Sequence, residues 1–78
     1  MTRTPSPAPI SEWDDLEDGE TYCYNQDTSD DTTYRIELWD DINEGECITL
    51  HYRDGYVSDL TRTSFVEHIA DGKVYEVV

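Results

Sequence analysis

At 78 residues the chain has room for one domain, whose core at that size stabilises only modestly. Nineteen Asp and Glu against five Lys and Arg give a formal charge of −14. That balance argues against direct nucleic-acid binding, since no basic patch exists to neutralise phosphates, and no apolar run reaches membrane-spanning length.

Met1 to Ser11 carries Pro5, Pro7 and Pro9 among small polar neighbours. Such a composition prefers extended polyproline conformations and packs poorly, so residues 1–11 are predicted to be a disordered arm and 12–78 a single small β domain. No apolar stretch follows Arg3, so no export signal is predicted; a cytoplasmic location and free thiols at Cys23 and Cys47 follow as expectations.

Trp13 to Gly19 reads as an acidic turn with two apolar anchors, Trp13 and Leu16. Thr21 to Asn25 reads as a short strand with Tyr22 and Tyr24 on one face. Leu16, Gly19 and Tyr22 form an L-x-x-G-x-x-Y opening that resembles the entry to the first strand of small SH3-like barrels. There the leucine plugs the barrel end, so the resemblance implies a small closed barrel. Gln26 to Asp31 is a polar loop.

Apolar and polar residues alternate from Thr33 to Trp39, placing Tyr34, Ile36 and Leu38 on one face. They alternate again from Cys47 to Arg53, with Ile48, Leu50 and Tyr52 on one face; Asp40 to Glu46 is the loop between. Facing both rows to one core predicts an antiparallel register of Tyr34 with Tyr52, Ile36 with Leu50 and Leu38 with Ile48. A slip of one residue would turn one row into water. Arg53-Asp54-Gly55 predicts a three-residue hairpin loop that sets Tyr56 opposite Tyr52 and Leu60 opposite Ile48. A two-residue loop would instead turn Asp59 inward against Leu50, which a core tolerates poorly.

Ser64 and Glu67 have capping-box spacing, Phe65 and Ile69 stand four apart, and Gly72 suits a C-terminal cap. A short helix over Ser64 to Asp71 is predicted, then a last strand from Val74 to Val78. The expected fold is therefore mainly β: a small SH3-like barrel or curled antiparallel meander sheet with one short helix.

Little in this chain points to a reaction. Cys47 and His51 have a C-x-x-x-H spacing, but four residues along a strand span about 13 Å, too far to share one zinc at about 2 Å. The same span keeps His51 from acting as base for a Cys47 nucleophile. Cys23 and His68 are two isolated residues, and a buried structural Cys is the common case. The carboxylate pairs lie in turns open to water, Asp27 to Thr33 lacks the glycine and glutamate of an EF-hand, and the isolated glycines make no phosphate loop. No catalytic, metal or cofactor residue is predicted, and no enzymatic activity.

The second face of the central hairpin is more informative. Arg35, Glu37 and Trp39 would oppose His51, Thr49 and Cys47, setting an indole among polar groups. Aromatics so placed are enriched at protein interfaces, making Trp39, Arg35, His51 and Thr49 candidate protein-binding residues, with self-association a further outcome. The alternative is that a loop or the Pro-rich arm covers Trp39, or that it shares a second small core with Trp13. The acidity has two readings as well. The basic residues are four arginines and Lys73 alone, and with nine threonines the chain resembles proteins of halophilic archaea and their viruses. A carboxylate surface of that kind stays hydrated in concentrated salt. Alternatively, the acids imitate the phosphates of DNA and occupy a nucleic-acid-binding protein or defence enzyme. Carboxylates in two rows would mark the mimic; carboxylates on every side would mark the halophilic surface.

Overall fold

The computed structural model of the chain describes residues 8–77. Six antiparallel strands form one sheet: β1 (Ala8–Pro9), β2 (Thr21–Tyr24), β3 (Thr33–Asp41), β4 (Gly45–Tyr52), β5 (Val57–Thr61) and β6 (Val74–Glu76). Their spatial order is β1-β6-β2-β3-β4-β5. A 3-10 turn (Trp13–Asp15) follows β1, and one helix, α1 (Arg62–Ala70), joins β5 to β6.

The central hairpin has the register that its alternation requires: Tyr34 pairs with Tyr52, Ile36 with Leu50 and Leu38 with Ile48. The ladder continues through Asp40–Glu46 and Asp41–Gly45, so the connection shrinks from the expected seven residues to Ile42–Glu44. The Asp41 carboxylate closes it by accepting from the amides of Asn43 and Glu44, both at 2.9 Å. The next hairpin has the three-residue loop. Tyr52 donates to the Tyr56 carbonyl at 2.8 Å, Leu60 pairs with Ile48, and Gly55 takes a φ of 98° that a side chain would disfavour.

One face of the sheet carries the core. Tyr22, Tyr34, Ile36, Ile48, Leu50 and Val74 are buried under Phe65 and Ile69 of α1, with Ile10 and Leu16 completing the cluster. Trp13 closes one end, its ring edge-on to Phe65 at 6.2 Å.

Three expectations are corrected. Of the expected architectures, the mainly β antiparallel sheet with one short helix is present, but the sheet is open and not a closed SH3-like barrel, since β1 and β5 lie at opposite edges and do not pair. The physical reason is the helix: Phe65 and Ile69 cover the apolar row, so the sheet buries that face without closing on itself. The helix also begins one half-turn earlier than Ser64. β5 ends in Thr61, whose extended backbone and hydroxyl make it the N-cap, accepting from the Ser64 amide at 3.2 Å. Finally, Ala8 to Ile10 of the predicted arm belong to the fold. Ala8 and Pro9 pair with Glu76 and Tyr75 on β6, and Ile10 is buried while donating to the Val74 carbonyl at 3.0 Å. The rest of the predicted arm lies outside the described residues, as does Val78 at the end of the predicted last strand. Among the described residues, no helix is long and apolar enough to cross a membrane.

Candidate functional site

Period-two alternation sends every second residue of β3, β4 and β5 to the face away from α1. That face is lined by Arg35, Glu37 and Trp39, then Cys47, Thr49 and His51, then Val57, Asp59 and Thr61. Among the described residues, no helix packs on it. The Trp39 indole is 38% exposed, whereas Cys47 and Thr49 beneath it are buried.

A chain of hydrogen bonds fixes the indole. Trp39 Nε1–H donates to Thr49 Oγ1 at 2.9 Å, and the Thr49 hydroxyl donates to Asp59 Oδ1 at 2.5 Å. Three adjacent strands thus hold one ring in one orientation, which lowers the entropy that a partner would lose in ordering it. Farther along, His51 Nε2 lies 3.1 Å from Glu37 Oε1. The candidate residues therefore divide: Trp39 and Thr49 form one unit, His51 joins Glu37, and Arg35 is exposed with no ion pair among the described residues.

Two shallow clefts meet at Trp39 and Cys47. One, of ≈ 170 Å³, adds Trp13, Leu38, Asp40 and Glu46. Beside it Arg62 pairs with Glu46 at 2.8 Å and stacks over the Trp13 ring at 5.4 Å, so a cation of the chain already neutralises that side. The other cleft, of ≈ 190 Å³, is bounded by Trp39, Cys47, Leu60 and Thr61, with Asp41, Glu44 and Asp59 around it. None of its lining residues is basic. Trp13 itself packs with Phe65 at the edge of the main core, so the two indoles flank a cleft and do not form a second core.

Asp59 was the site residue missed by inspection of the sequence. The signal was present: the loop that pairs Tyr52 with Tyr56 also pairs Thr49 with Asp59, on the face opposite the core.

The thiols are not poised as nucleophiles. Burial, then the charges of Asp41, Glu44 and Asp40, push the Cys47 thiol up from its ordinary pKa. Burial, then Asp27, does the same to Cys23. Both are free and buried, and β3 separates their strands. Cys47 and His51 share the open face of β4 with Thr49 between them. Among the described residues, no three His, Cys, Asp or Glu side chains converge on a point that could hold a metal.

Comparison with known proteins finds no matching family, no matching curated protein and no matching solved structure.

Proposed function

We propose that the chain is a non-enzymatic protein-interaction module that engages its partner through the Trp39 face, serving as an accessory protein of a halophilic archaeon or its virus. The observation that carries this reading is the indole: held by Thr49, exposed, and placed where two clefts meet. A large aromatic presented in a fixed orientation beside concave surface is the usual anchor of a protein interface.

The distribution of acids supports the halophilic part. Carboxylates occupy Glu12 to Glu20, the turn of Asp27 to Asp31, the hairpin end at Asp40 to Glu46, Asp54 in the next loop, Glu67 on the helix and Asp71 at its C-cap. Turns at both ends of the sheet and the helix all carry them. That dispersal fits a solvated surface better than two rows of phosphate mimics.

The test is paired capture from the source cell at molar salt, using the intact domain and its Trp39→Ala variant, each shown to be folded by circular dichroism. A partner held by the intact domain should be lost by the variant, with affinity reduced about 30-fold or more. Equal recovery of every captured protein by both would overturn the reading.

A further inference from the structure

The two edges of the sheet are unlike. β1 is two residues long and contains Pro9, which gives an incoming strand no amide. β5 is five residues long and, among the described residues, has no partner on its outer side. Because Tyr52 donates to the Tyr56 carbonyl, the alternating ladder directs the backbone of Ser58 and Leu60 toward β4. The amides and carbonyls of Val57 and Asp59 therefore point outward. No lysine, proline or bulge guards them, and Val57 is 53% exposed.

The cleft beside Trp39 opens along this same strand, since Asp59, Leu60 and Thr61 form one of its walls. On the opposite face, Ser58 and Leu60 border a groove of ≈ 190 Å³ that runs to Tyr52, Phe65 and His68. A strand laid along β5 would place alternate side chains in each. Those on the Trp39 side would meet an indole and the carboxylates of Asp41, Glu44 and Asp59, surroundings that favour a guanidinium or ammonium group. Those on the other side would meet apolar and aromatic surface.

We propose that the β5 edge and the Trp39 cleft together form a docking site for an extended, basic segment of a partner protein, which adds to the sheet as a further strand. The proposal rests on the interaction reading above and names its partner's chemistry. Charge complementarity selects this occupant: the chain carries −14, and the cleft has three carboxylates and no cation of its own. A second copy fits less well, because two-fold pairing of β5 about its centre sets Asp59 opposite its own equivalent, and like charges directly opposite destabilise a ladder.

The probe is a short fluorescein-labelled peptide alternating arginine and valine, titrated by polarisation in molar potassium chloride. Binding should weaken about tenfold or more when glutamate replaces arginine, and equally when alternate amides are N-methylated. Asp59→Asn keeps an acceptor for Thr49 and should weaken binding similarly, as should Trp39→Ala, while Glu67→Gln on the helix should leave it unchanged. Equal weakening by Glu67→Gln would reduce the effect to net charge and overturn the proposal. Full binding of the N-methylated peptide would remove strand addition and do the same, as would a dimer in sedimentation whose formation blocks the peptide. If the peptide fails while Trp39-dependent capture persists, this proposal falls and the interaction reading stands. If Trp39→Ala alters neither, both fall.

Discussion

Replacing Ile36 with aspartate should unfold the domain, whereas Glu37→Lys, one position along the same strand, should not. Ile36 is fully buried between Tyr34 and Leu38 and faces Leu50 across the ladder. Removing such a side chain costs about 2–5 kcal/mol through lost transfer energy and the cavity left behind. Burying a carboxylate there without a partner adds several kcal/mol more. Against this, the 70 residues from 8 to 77 hold roughly 4–10 kcal/mol in total, at about 0.05–0.15 kcal/mol per residue. Glu37 points to the open face and loses only its contact with His51, a surface pair worth about 0–1 kcal/mol. The assay is urea unfolding followed by circular dichroism at fixed molar salt, because guanidinium chloride would itself screen the charges under study. A cooperative transition for Ile36→Asp within about 1 kcal/mol of that for Glu37→Lys would refute the register and with it the placement of Trp39.

Thermal melting should rise substantially from dilute buffer to molar salt, because screening at a Debye length of about 3 Å removes repulsion within a net charge of −14; a flat or falling curve would defeat the electrostatic account. Thr61→Ala should cost about 1 kcal/mol in denaturant titrations by removing the helix N-cap, while Ser64→Ala, which leaves the backbone amide donor intact, should stay within about 0.5 kcal/mol; the reverse order would restore Ser64 as the cap. Burial, then neighbouring Tyr52, raises the Tyr34 phenol above its unfolded pKa near 10, so its contribution is present below that pH and lost above it. Stability should therefore decline above about pH 10 by up to about 1.4 kcal/mol per pH unit from this group; an unchanged slope in Tyr34→Phe would count against it.

The parts of the fold that could be read from the chain are those where parity leaves no choice. Two alternating apolar rows facing one core admit a single class of register, and Asp59 at an intolerable inward position selects the three-residue loop. What could not be read was how the sheet ends. Leu16, Gly19 and Tyr22 suggested closure, and each occupies a suitable position, with Leu16 and Tyr22 buried in the core. The deciding factor lay elsewhere, in whether Phe65 and Ile69 could cover the apolar face, and local spacing carries no information on that. The entry of Ala8 to Ile10 was hidden for a related reason. Proline argues against strands in general but is acceptable at an edge, and only the tertiary arrangement reveals that an edge is there.

The same reasoning explains why the candidate site was half visible. Trp39 stands out as a large aromatic on the polar side of an alternating strand, a local anomaly. Its fixing residue, Asp59, is locally unremarkable: one carboxylate among nineteen. Its role arises only when β5 is laid against β4 and Thr49 is seen to donate to it. Composition thus conceals the acid that fixes the indole among the solvating ones. In a chain this acidic, a carboxylate is distinguished by what it holds in place, not by its charge. Asp59 meets that criterion doubly, since it anchors the hydrogen bonds that orient the indole and sits on the edge strand that a partner would pair with. Substitutions that keep its acceptor but remove its charge separate those two contributions, which no inspection of charge density could do.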